Sequence, residues 1–76
     1  MSKRIRVTVG DCSYAILVRI AKRCGFHIIE ARKHCKIKTP EGGFVTTIPR
    51  HNRLKRETAK VIIEAFVSFG APVDYF

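Results

Sequence analysis

Along the first ten residues Ile5, Val7 and Val9 alternate with Arg4, Arg6 and Thr8, the period-two pattern of a half-buried strand. Gly10-Asp11 then supplies a turn. From Cys12 to Cys24 the period changes. Ala15, Leu17, Val18, Ile20 and Ala21 form an apolar stripe, while Arg19, Lys22 and Arg23 fall on the other side, which predicts a helix capped by Asp11 or Ser13. Gly25 stops it, because glycine takes the left-handed conformation of a helix end without steric cost. Three short runs rich in β-branched or aromatic residues follow, Phe26 to Ile29, Cys35 to Thr39 and Phe44 to Ile48, and they predict a meander of strands. Pro40-Glu41-Gly42-Gly43 is the hairpin loop between the last two. Pro49 closes the third strand, since it has no amide to give to a ladder. Arg56 to Phe69 returns to helical spacing, with Ile62, Ala65, Phe66 and Phe69 on one face and Val61 beside them, and Gly70 and Pro72 end it.

The expected order is α-β-β-β-α preceded by a short N-terminal strand in residues 1–10, with a tail at 71–76. This is an α+β fold. Both helices bury their stripes on one face of an antiparallel sheet and leave the opposite face to solvent. At 76 residues the chain has room for a single domain spanning 1–76, and a chain this short buries only about 60% of its unfolded surface.

Charge changes the picture more than composition does. Lys and Arg number 15 against 6 acids, a net charge of +9, which points to a polyanionic partner rather than a neutral metabolite. The excess is concentrated: from Arg32 to Arg56, eight cations face Glu41 alone. No apolar run approaches the roughly 18 residues of a membrane span, and there is no signal-peptide pattern. Three cysteines, Cys12, Cys24 and Cys35, are an odd count that suits free thiols in a reducing compartment. The expectation is a soluble cytoplasmic protein without a membrane partner.

The basic segment also holds candidate chemistry. If Cys35, Ile37 and Thr39 face the helices, strand alternation sends His34, Lys36 and Lys38 to the open face together. An imidazole can move a proton on or off a ribose 2′-hydroxyl, and fixed cations can stabilise charge growing on a phosphate oxygen. The plainer reading of the same residues is a solvated Lys-x-Lys strand with a histidine at its end. His51, among Arg50, Asn52 and Arg53, is either an RNA contact or a solvated loop histidine. His27 has no assigned role. Cys24, His27, His34 and Cys35 have the right donor types for zinc, but adjacent residues on a strand point to opposite faces, so His34 and Cys35 do not reach one ion. No metal and no cofactor is expected, and Gly42-Gly43 is a hairpin rather than a nucleotide loop.

Gly25-Phe26 through His34, Pro40-Glu41-Gly42, Ile48-Pro49-Arg50-His51, and Leu54-Lys55 with Thr58, Lys60, Ile62 and Ile63 together resemble the HicA family of toxins. The likeness covers roughly Tyr14 to Phe69. What it implies is a fold like that of double-stranded-RNA-binding domains and a metal-independent endonuclease of messenger RNA, neutralised by a HicB-like antitoxin. The family's histidine corresponds to His34, six residues before Pro40. On that reading His34 and Lys36 are the catalytic pair. Arg32, Lys33, Lys38, Arg50, His51, Arg53 and Lys55 then hold the RNA backbone. The alternative is a non-catalytic RNA-binding module of the same fold, because Arg32-Lys33 stands where the family has Gly-Ser or Gly-Gly. The extra N-terminal strand is expected to cover part of the sheet or to pair two copies into a homodimer.

Overall fold

The computed structural model describes residues 4–76; the first three residues of the expected 1–10 segment lie outside them. Strand β1 (Ile5–Val7) buries Ile5 and Val7 and exposes Arg6, as the alternation requires. It is followed by a 3-10 turn at Val9–Asp11. Helix α1 (Tyr14–Arg23) begins two residues later than the apolar pattern suggests. Cys12 is drawn out of the helix because its carbonyl accepts the Leu54 amide at 3.0 Å and its thiol donates to the Thr8 carbonyl at 3.3 Å. Ser13 is therefore the cap, its hydroxyl oxygen accepting the Ile16 amide at 3.3 Å.

Strands β2 (His27–Glu30), β3 (His34–Lys38) and β4 (Phe44–Pro49) form an antiparallel sheet in the order β2-β3-β4. Pro49 does not stop short of the ladder as its missing amide suggests: it is the last residue of β4, opposite His34, an end position that asks for no donor. The hairpin is held by the Thr39 amide donating to the Gly43 carbonyl at 2.7 Å and by the Gly43 amide donating to the Thr39 hydroxyl at 2.8 Å. A register shift beside Ile37 and Lys38 lets Lys38 oppose Phe44.

Helix α2 (Arg56–Ser68) completes the layer. Both helices end in the same way. Gly25 and Gly70 take φ of +85° and +89°, and the residues after them, Phe26 and Ala71, each donate back to a carbonyl five residues earlier at 3.1 Å. This double closure needs a left-handed residue, which is why glycine occupies both points. Leu17, Ile20 and Ala21 of α1 and Ala59, Ile62, Ile63 and Phe66 of α2 are buried in one cluster with Cys35, Ile37, Val45 and Ile48 of the sheet. The Phe26 and Phe66 rings meet at 5.6 Å.

The tail is the main departure from the sequence expectation. Residues Val73–Tyr75 form β5, paired in parallel with β1, Ile5 opposite Val73 and Val7 opposite Tyr75. Val73 is 3% exposed, and Arg4 Nε donates to Asp74 Oδ2 at 2.9 Å. A three-residue strand is too short to register as a period, and its partner lies at the other end of the chain. β1 consequently belongs to a separate two-stranded sheet and leaves the open face of β2-β3-β4 uncovered.

Phe66 is fully buried while Val61, one turn and a half earlier on α2, is 63% exposed. Phe66→Ala is expected to lower the unfolding free energy by about 3–5 kcal/mol, and Val61→Ala to change it by no more than about 0.5 kcal/mol. Urea denaturation of the two variants measures both; similar losses at the two positions would contradict the arrangement of α2.

Candidate nucleic-acid interface

Directly opposed residues of an antiparallel ladder point to the same side of the sheet, so the register defines the uncovered face. Cys35 and Ile37 are fully buried beneath the helices. Their neighbours His34, Lys36 and Lys38 project the other way; the first two are exposed and Lys38 is half-buried. Three cross-strand rows result. His27, Lys38 and Phe44 make one, Ile29, Lys36 and Thr47 the next, and His34 and Pro49 the third. Successive rows are two residues apart, about 6.7 Å. None of the six acids falls in these rows: Glu30 lies on the helix side, opposite Cys35, and Glu41 lies in the hairpin loop.

The remaining basic residues lie elsewhere. Arg32 and Lys33 are exposed in the turn between β2 and β3, and Arg50, His51, Arg53 and Lys55 are exposed on the segment joining β4 to α2. That segment is tied to the turn and to the start of α1. The Arg50 amide donates to the Lys33 carbonyl at 3.3 Å, the His51 carbonyl accepts the Tyr14 amide at 3.0 Å, and the Leu54 amide is bound by Cys12. His51, Arg53 and Lys55 border a shallow hollow of about 390 Å³ with Leu54 and Thr58. The cations therefore stand in more than one place. Lys36 and Lys38 stand on it with His34, whereas Arg50, His51, Arg53 and Lys55 occupy a loop beyond its end. Strand periodicity stops at Pro49, so nothing constrained the loop residues to follow it.

Arg50 is also engaged by the protein. Its guanidinium lies 5.3 Å from the centre of the Tyr14 ring, and its Nη2 is 3.4 Å from Glu30 Oε2. The Tyr14 hydroxyl donates to Glu30 Oε1 at 2.9 Å. The Tyr14 hydrogen bond, and after it the Arg50 charge, holds the Glu30 carboxyl below its usual range. Partial burial and the Glu30 bond raise the Tyr14 phenol. Tyr14 and Glu30 thus stay in their hydrogen-bonding charge states through neutral pH and fix the direction of a planar, five-donor cation at the edge of the basic surface. Tyr14 and Glu30 carried no signal of this in the sequence, because the three residues come from separate elements.

Cys24, His27, His34 and Cys35 do not converge: Cys35 is buried in the core, while His34 and His27 are exposed on the uncovered face. Among the described residues no three His, Cys, Asp or Glu side chains are grouped to hold a metal ion. The three cysteines are free, and burial pushes the Cys12, Cys24 and Cys35 thiols up. Comparison with models of known families, with curated proteins and with solved structures finds no match for this chain. The described helices include none long and apolar enough to cross a membrane.

Because the folded thiols ionise above their ordinary value of 9.0, the folded state binds more protons than the unfolded one as pH rises past that value, and stability falls there. At pH 8 all three thiols are expected to react with a disulfide reagent more slowly than free cysteine, half-buried Cys24 first, and to become equivalent in denaturant. A fast-reacting thiol in the native protein would contradict this placement.

Proposed function

We propose that the protein is a HicA-like endoribonuclease that binds messenger RNA on its uncovered sheet face and cleaves it without a metal. The observation that carries this reading is the emergence of His34, Lys36 and Lys38 together on that face. The imidazole of His34 takes the proton of a ribose 2′-hydroxyl, whose oxygen attacks the adjacent phosphorus. The bond from phosphorus to the 5′-oxygen breaks, and that oxygen leaves with the proton returned by the imidazolium. A 2′,3′-cyclic phosphate and a 5′-hydroxyl remain. Lys36, two residues along the same strand, neutralises charge that builds on the phosphate oxygens. Lys38, the Arg32-Lys33 turn and the Arg50 to Lys55 loop hold backbone phosphates on either side. Fixed by Tyr14 and Glu30, Arg50 offers its outer donors in a defined orientation.

A cytoplasmic toxin of this type is restrained by an acidic HicB-like antitoxin, and the basic face with its imidazole is the natural surface for one to occlude. Homodimer formation through β1 is limited to the single strand edge that β5 leaves free. One observation favours the second reading, a binding module without cleavage. Among the described residues no side chain hydrogen-bonds His34, and Arg32-Lys33 forms the turn that presents it.

Incubation with a labelled single-stranded RNA in chelator, with DNA of the same sequence alongside, separates the two. Cleavage of RNA alone is expected, since DNA lacks the attacking hydroxyl. His34→Ala is expected to lower the rate by about 10²- to 10⁴-fold with the fold intact. Tight binding without cleavage by the unaltered chain would leave the binding module; an unchanged rate in His34→Ala would remove the imidazole from the chemistry. Whichever holds, the logarithm of the binding constant is expected to fall with the logarithm of salt with a slope of about −0.7 per phosphate neutralised.

A further inference from the structure

We propose that the row formed by His27, Lys38 and Phe44 is a stacking subsite for an unpaired nucleobase, separate from the position of His34 and serving to anchor single-stranded RNA. The proposal rests on the RNA reading above and adds to it which form of RNA the face takes and which residues grip a base. Phe44 begins β4 and is 56% exposed on the face that the helices leave open. Its cross-strand neighbour is Lys38, and the neighbour of Lys38 is His27. A benzyl ring, an ammonium and an imidazole therefore stand side by side across all three strands, over about 10 Å. Ile29, 44% exposed in the adjoining row next to Lys36, extends the apolar surface. Beside it, around the free edge of β2, lies an open concavity of about 690 Å³ bordered by His27, Ile29 and Lys38 together with Phe26 and Lys22.

The composition of this patch selects its occupant. An aromatic ring and an imidazole offer flat faces for stacking, and the lysines on the same rows meet the backbone phosphates that accompany a base. With no carboxylate among the rows and a chain carrying +9, the surface is complementary to an anionic ligand with apolar faces. Single-stranded RNA has that character. In a duplex the bases are stacked inside and their planes are inaccessible. His34 lies four residues from Lys38 on β3, about 13 Å away, so a base held by Phe44 is not the nucleotide being cut. The subsite fixes the strand while the scissile phosphate lies near the other end of the sheet.

The test compares full-length wild type, Phe44→Ala and Phe44→Trp binding one labelled oligoribonucleotide, first single-stranded and then annealed to its complement. Thermal melting of each variant checks that the fold survives. Phe44→Ala is expected to weaken single-strand binding about 5- to 150-fold and to leave duplex binding unchanged, and Phe44→Trp to restore it. Since the chain contains no tryptophan, the Phe44→Trp variant also reports stacking directly, through fluorescence quenched by the single strand and not by the duplex. Unchanged single-strand affinity in Phe44→Ala would overturn the subsite while leaving the RNA reading intact. Equal losses on single strand and duplex would likewise overturn it. Failure of the wild type to bind either RNA would remove the RNA reading and the subsite with it.

Discussion

Two helices are enough to cover one side of a three-stranded sheet and not the other, and that asymmetry governs the molecule. β3 runs through the middle of the sheet, so its side chains divide between the densest part of the core and open solvent. Cys35 and Ile37 are fully buried. A charged side chain in either position would have to leave water without a partner, at a cost of several kcal/mol. The residues that alternate with them, His34, Lys36 and Lys38, meet no such constraint, and there the chain places an imidazole and two ammonium groups. The separation of core from candidate chemistry follows from a repeat of two residues.

A chain of this size and charge has little apolar surface to hold itself together, and the structure answers with local closures. Both helices end in the same doubly bonded glycine motif, whose trailing residues, Phe26 and Ala71, donate back to the helix they terminate and join the common core. The loop between β4 and α2, rich in cations that repel one another, is sewn to Cys12, Tyr14 and Lys33 by backbone hydrogen bonds. β1 and β5 join the two ends of the chain into a small parallel sheet and bring Ile5, Val7 and Val73 into the common core. Arg4 and Asp74 form an ion pair beside that junction; so exposed a pair adds little to stability.

The basic residues fall into two sets held by different means. Lys36 and Lys38 ride on a strand whose direction is fixed by the core beneath it. Arg50 leaves the sheet and is oriented by a ring and a carboxylate, Tyr14 and Glu30. Around them, Arg53 and Lys55 depend only on loop backbone.

Much of this was readable along the chain. The alternation at Ile5 to Val9, the stripe from Ala15 to Ala21, and the opposed faces of His34-Cys35-Lys36-Ile37-Lys38 are short-range periodicities, and the side-chain geometry of a strand or helix turns them directly into buried and exposed faces. So the α+β class, the element order and the open face with His34, Lys36 and Lys38 were available before any coordinates. Contacts between residues far apart were not. Val73 to Tyr75 is too short to announce a strand until β1 lies beside it. Ser13 rather than Asp11 caps α1 because Leu54 holds Cys12. Arg50 meets Glu30 and Tyr14 only when β2, β4 and α1 are packed. The row of His27, Lys38 and Phe44 exists only in the register, including the shift beside Ile37. A period describes a residue's own element. The partner it faces depends on how separate elements are brought together, and that is decided by packing across the whole chain.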